Sequence, residues 1–192
     1  GNIKIQSPGS CGLKFYNQLL DLQGQHKALT IDYRFAPNES VEQAVANHNA
    51  DIGFLTQAPT LSEVTSHKIG QDALLLITPT GYQTPSWQNL CELGFIAHPD
   101  AKHHAQLLLS ENYAEFEHIE QIKRSGFSNQ INLILEPVSL GLGFTVLPAH
   151  AVSAFSKPQL INVHPLQHPI SESIYVCYHR NRPLAKRMSK VL

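Results

Sequence analysis

The chain has 192 residues, 42% of them hydrophobic, with 14 Lys and Arg against 15 Asp and Glu and a formal charge of −1. Such a length buries a core as one large domain or two small lobes without disulfides or a metal, and the balanced charge offers no chain-wide field for a polyanion. A nucleic-acid-binding domain on its own is therefore disfavoured, and no apolar run approaches the roughly 20 residues that cross a bilayer. The opening residues read as a strand and not as a charged and then apolar leader. The expectation is a cytoplasmic protein with no membrane partner, and Gly1 reads as a cut end behind which another domain would be invisible.

In chain order, short β-type runs alternate with helical ones, which predicts an α/β fold with a largely parallel sheet. The first strand covers 3–6 and leads into Ser7-Pro8-Gly9-Ser10-Cys11-Gly12. There Gly9 and Gly12 permit close backbone approach, and the free amides of a first helical turn suit a carboxylate or other small anion. Ser10 either contacts that anion or simply caps its helix. The stretch has neither Walker A nor GxGxxG spacing. Leu13, Tyr16, Leu19 and Leu20 then fall on one helical face. Strands are predicted over 29–35 and 52–55, with a helix over 39–47 carrying Val41, Ala44 and Val45 between them.

A strand over 73–78 ends at the punctuation Thr78-Pro79-Thr80-Gly81, and another covers 94–98. Asp100 is predicted to cap a helix running through Leu107 to Leu109. Glu111, Glu115, Glu117 and Glu120 read as a solvated acidic helix face. A helix from about Ser128 through Ile131, Ile134 and Leu135 towards Leu140 should be kinked in its last turn by Pro137. A strand over 143–147, a second punctuation from Lys157 to Pro165 and a strand over 174–178 follow. The basic residues Arg180, Arg182, Lys186, Arg187 and Lys190 surround Leu184 and Met188 at helical spacing, as in an amphipathic surface helix whose cations complement the dipole. The two punctuation points divide the chain into lobe I, 1–78 with 163–192, and lobe II, 79–162.

Cys11, Cys91 and Cys177 lack CxxC spacing, so neither a disulfide framework nor a zinc knuckle is indicated. Cys11 at a helix start is either a redox sensor or a packed thiol of ordinary reactivity, the second being the expectation. The eleven histidines are expected at the surface; His103 with His104 and His164 with His168 lack the partners of a metal site. No GxSxG elbow is present and no nucleophile, base and orienting group assemble, so no catalytic residue, metal or cofactor is expected.

Gly141-Leu142-Gly143-Phe144-Thr145-Val146-Leu147-Pro148 resembles the Gly-x-Gly, apolar strand, Pro signature of the LysR-type transcriptional regulators, in their C-terminal effector-binding domain. Supporting stretches are Ile3-Lys4-Ile5 with Ser10, Asn49-Ala50-Asp51-Ile52-Gly53-Phe54 and Tyr178-His179-Arg180-Asn181-Arg182, in the family's order and spacing. The resemblance implies two Rossmann-like lobes with a cleft between them, like type 2 periplasmic binding proteins, and an effector held there. It also implies a homodimer through the effector domains, with the first helix and second strand of one subunit near the helix after Pro148 of the other. A tetramer and DNA contact through an N-terminal winged helix-turn-helix domain absent from this chain are implied for the full-length protein.

Position by position, the resemblance implies effector contacts from Ser7, Gly9, Ser10 and Cys11, from Asn38 after the second strand and from Thr56 after the third. Pro99, His103 and His104, the helix start at Asn129, and Thr145 are the other lobe's contributions. Pro137 and the His-rich loop depart from the family pattern. The expected effector is a small organic anion, bound more tightly as pH falls towards 6 if His103 or His104 adds a charge. The rival reading is a transport solute-binding protein of the same fold.

Overall fold

The computed structural model describes residues 1–182. The amphipathic segment expected around Leu184, Lys186 and Met188 lies outside them. The elements are β1 (Asn2–Ser7), α1 (Gly9–Gln25), β2 (Thr30–Phe35), α2 (Asn38–Ala46), β3 (Ile52–Leu55), β4 (Val64–Pro79), α3 (Trp87–Leu93), β5 (Phe95–Ala97), α4 (Ala101–Leu109), β6 (Arg124–Phe127), α5 (Leu135–Ser139), β7 (Thr145–Pro148), α6 (Ala149–Ser153), β8 (Ile161–His164) and β9 (Ile170–His179). Short 3-10 turns occur at Ile119–Gln121, Ile131–Leu133 and Pro158–Leu160. Two compact units emerge, one of Gly1–Gln71 rejoined by the chain from Glu172, the other of Asp72–Ser171.

In the first unit β1 pairs in parallel with β2 and with β3, while β9 runs antiparallel to β3. Alternation along β1 buries Ile3, Ile5 and Ser7. Helix α1 covers that face with Cys11, Phe15, Leu19 and Leu22, which join Ile3, Ile5, Ile52, Phe54 and Val176 in one cluster. This i, i+4, i+8, i+11 row replaces the stripe read from the sequence: Leu19 is buried, whereas Tyr16 and Leu20 stand exposed on the outer flank of α1. On the opposite face Val41 and Val45 of α2 pack with Leu55, Val64 and Cys177. Full burial of each aliphatic side chain contributes about 1.5–3 kcal/mol. Gly53 is required there, because a Cβ would lie 2.7 Å from Val41 and 2.8 Å from the Cys177 thiol. Asp51, just before β3, accepts the Lys4 amide at 2.9 Å and pairs with Arg182 at 2.8 Å.

The second unit is built on the later half of β4, antiparallel to both β7 and β8, and on the parallel pair β5 and β6. The sheet is thus mixed and not largely parallel, since β9 runs antiparallel to β3, and β7 and β8 run antiparallel to β4. Phe144, fully buried, packs on Phe95 at 5.2 Å in a cluster with Leu76, Leu108 and Val146. Gly141 turns the chain out of α5 at φ 82°, and a Cβ on Gly143 would meet the Gly94 carbonyl at 2.8 Å. Both glycines of the signature therefore have a steric reason.

Several local expectations change. The helix expected from Ser128 is a 3-10 turn followed by the five-residue α5. Pro137 occupies its third position, where the amide has no intrahelical partner, so it kinks no last turn. The acidic residues after α4 are exposed but lie in turns, because α4 stops at Leu109. Asp100 precedes α4 without any side-chain capping bond. Ser10 does not cap α1 either; Pro8 holds that position and Ser10 is the second helical residue.

Candidate functional site

The first unit presents the carboxyl ends of β1 and β2 beside the start of α1. Ser7 and Phe35 are paired across these two strands. The Tyr33 hydroxyl donates to Ser7 Oγ at 2.6 Å, and Ser7 in turn donates to the Pro8 carbonyl at 3.0 Å. Burial pushes the Tyr33 phenol well above its ordinary value, so it remains a neutral donor. A Cβ on Gly12 would fall 2.2 Å from the Phe35 ring and 2.7 Å from Ser7 Oγ, so only glycine lets that ring lie on the first turn of α1. The first turn of this 17-residue helix has no side-chain cap and no acidic residue. The positive end of its dipole is therefore uncompensated by any carboxylate of its own.

Of the residues named from the sequence, Ser7, Gly9, Ser10 and Cys11 come together at this turn. Ser10 is buried, and the buried Cys11 thiol points at the Pro8 carbonyl, 3.6 Å away. Asn38 and Thr56 form a pair of their own. The Asn38 amide donates to Thr56 Oγ1 at 2.8 Å and its carbonyl oxygen accepts the Thr56 amide at 2.9 Å, both within the buried interior. This reciprocal bond joins the start of α2 to the end of β3.

In the second unit, β5 leads through Pro99 to the start of α4. His98 is buried, and its Nε2 lies 2.9 Å from the Val146 carbonyl while its Nδ1 accepts the Asp100 amide at 3.3 Å. A carbonyl only accepts, so the proton resides on Nε2. His104 is fully buried with its ring centroid 5.4 Å from that of His98. Burial is the main cause that lowers both imidazoles to about 4. The charge-assisted contact expected of His104 at pH 6 is thereby removed, because the ring is neutral there. Pro99 is exposed, His103 is half-buried, and Asn129 is exposed in the turn before the 3-10 segment. Thr145 is fully buried and donates to the Ile96 carbonyl at 2.8 Å, tying β7 to β5.

The expectation of surface histidines fails for His98, His104, His164 and His179, all buried. Sequence reading overlooked Tyr33 and His98 as organising groups. An aromatic two residues before the end of a strand, and a histidine directly before Pro-Asp at a strand end, were the available signals. Among the described residues no group of three or more His, Cys, Asp and Glu is arranged to hold a metal, and Cys11, Cys91 and Cys177 are unlinked thiols. Burial raises the Cys177 thiol to about 12. No helix among these residues is long and apolar enough to cross a membrane.

The profile of the family described as the LysR substrate binding domain matches residues 1–192. Among solved structures, the sulfate-bound regulatory domain of the OxyR2 E204G mutant from Vibrio vulnificus superposes with a TM-score of 0.81 at 16% identity, covering 100% of this chain and 92% of that one. The effector binding domain of QuiR in complex with shikimate gives a TM-score of 0.72 at 15% identity, covering 100% and 93%. HinK, a LysR family transcriptional regulator from Pseudomonas aeruginosa, gives 0.76 at 16% identity, covering 100% of this chain and 68% of that longer one. The shared architecture is that of type 2 periplasmic binding proteins. No curated protein sequence matches the chain significantly.

Proposed function

Because this chain belongs to the LysR substrate-binding domain family, the effector-sensing part of transcriptional regulators, we propose that it senses a small organic anion whose acidic group rests on the first turn of α1. The observation that carries this reading is the start of α1 itself: small residues, no capping side chain and no carboxylate in its first turn. Ser10 and the backbone amides around Gly9 supply the donors, and hydrogen bonds to a charged acceptor are the strong kind. Two of the similar domains were solved with an oxyanion, shikimate in one and sulfate in the other. The family assignment does not favour the rival reading as a transport solute-binding protein.

Within the second unit, half-buried His103 and exposed Asn129 are the accessible polar side chains of the sequence-derived set. His103 is then the imidazole of the two that is placed to meet a ligand. The ligand acts by binding one conformation of the protein more tightly than another, so its differential affinity sets how far the equilibrium moves. Exposed Tyr16 and Leu20 on α1, beside Phe35 on the edge strand β2, support a homodimer through this face. In the full-length protein we place a tetramer in the cytoplasm, with DNA contact through an N-terminal winged helix-turn-helix domain.

The test begins with a thermal-shift screen of small carboxylates, shikimate included, followed by calorimetric titration of the best binder. Ser10→Ala should weaken it by roughly ten- to a hundredfold, equivalent to about 1.5–3 kcal/mol, measured at a temperature where both free proteins are folded. Equal affinities would move the ligand away from α1, and exclusive binding of cations would overturn the anion.

A further inference from the structure

The first unit carries a second concavity, remote in chemistry from the start of α1. Helix α1 packs against one face of β1 and β2, and on the other face α2 packs mainly over β1 and β3, so that among the described residues no helix is centred on β2. The result is an open trough of about 740 Å³ between β2 and α2. Alternation along the paired strands sends Lys4, Gln6, Asp32 and Arg34 into it from the sheet, and the parallel register sets Lys4 opposite Asp32 and Gln6 opposite Arg34. Glu39 and Gln43 line it from α2.

The lining discriminates between classes of ligand. Two cations, Lys4 and Arg34, stand against two carboxylates, Asp32 and Glu39, so a polyanion or a polycation meets as much repulsion as attraction. Among the described residues no aromatic side chain lines the trough, which removes the stacking platform that flat rings use. What abounds is carboxamide, from the two glutamines and from two asparagines at the end of α2, each offering donors and an acceptor together. A peptide group has the same complement. We infer that this trough is a second binding site, separate from the effector site, for a short zwitterionic peptide, its carboxylate on Lys4 and Arg34 and its ammonium towards Glu39 and Asp32.

The volume lies within the usual range of small-molecule sites and suits roughly two to four residues. Arg34 is held by Asp32 at 3.1 Å, but both side chains meet solvent, and an exposed pair of this kind is readily exchanged for a ligand carboxylate. Carboxamides bind the peptide groups and the two charged ends fix direction, so a capped peptide of the same length loses the directional contacts.

The experiment uses the isotope-labelled 192-residue chain and trialanine as probe, read by backbone amide shifts and by calorimetry. Shifts should concentrate at Gln6, Arg34 and Gln43, and N-acetyl-trialanine amide should bind at least about tenfold more weakly. Arg34→Gln and Gln43→Ala should each weaken trialanine severalfold with unchanged melting temperature, since both side chains are exposed. Ser10→Ala should leave trialanine binding untouched, which separates this site from the one at α1. Equal binding of free and capped peptide, no trough shifts at millimolar trialanine, or shifts confined to the start of α1 would each overturn the assignment.

Discussion

Each unit places the start of a helix just beyond the end of a strand, yet the two fill that junction with opposite materials. Between β1 and α1 the polar groups are hydroxyls and backbone amides, from Ser7, Ser10 and Tyr33. Between β5 and α4 the space holds two buried imidazoles, His98 and His104, neutral because the interior disfavours their charge. At the first junction the Tyr33 phenol, raised by burial, stays neutral across the physiological range. The second stores a proton debt that only its own stability reveals. The buried titrating pair and the hydroxyl-lined helix start thus lie in different units of the same chain.

The largest expected effect breaks the second junction by acid. His98 and His104 have ordinary values of 6.5 and folded values of about 4. Between these limits the unfolded chain binds more protons than the folded one, so stability is full above about 6.5 and falls as pH drops towards about 4. Both imidazoles act in that direction, burial being the first cause in each. His164, also lowered by burial, acts in the same direction. Urea midpoints between pH 7 and 4.5 should fall steeply, and His104→Phe should flatten the slope relative to wild type. An unchanged slope in that variant would remove His104 as the source.

A smaller effect probes the first unit without touching any titrating group. Asn38 and Thr56 satisfy one another through two buried bonds, so Asn38→Ala leaves the Thr56 amide and hydroxyl without their partner. The cost should be about 1–3 kcal/mol, a few degrees in melting temperature for a chain of this size, and constant from pH 7 to 5. A loss that grew with acidity would contradict the division of labour between the two units.

Alternation made β1 legible because one of its faces is buried, β2 was legible from half-buried Ile31 and Tyr33, and β3 from a short apolar run buried throughout. The first half of β4 was invisible: Ser66, His67, Lys68, Gly70 and Gln71 form no period of apolar residues, and that stretch is largely exposed. Strand β6, Arg-Ser-Gly-Phe, earns its place only by pairing with β5. Helix α3 did carry a signal, Ser86 and Asn89 in a capping box, but Asn replaces the usual Glu or Gln. At the candidate site, the loop and helix after Ser7 were readable from glycines and spacing. The environment of His98 was not, since its fixed tautomer depends on the Val146 carbonyl 48 residues away.

The smallest effect sharpens the comparison at the start of α4. Asp100 occupies the position of a capping residue but makes no capping bond with its side chain, and its amide instead donates to His98. Its carboxylate acts through charge, favouring the imidazolium forms of both His98 and His104 and the positive end of α4. If charge is the whole effect, Asp100→Asn and Asp100→Ala should destabilise alike, by about 0.3–1 kcal/mol at low salt, and less as salt is added. Were the side chain a true cap, Asn would preserve stability, being as good a cap as Asp, and Ala alone would lose about 1 kcal/mol. Chemical denaturation of the two variants at low and high salt separates these outcomes. A salt-independent loss confined to Ala would return Asp100 to the capping role its position suggests.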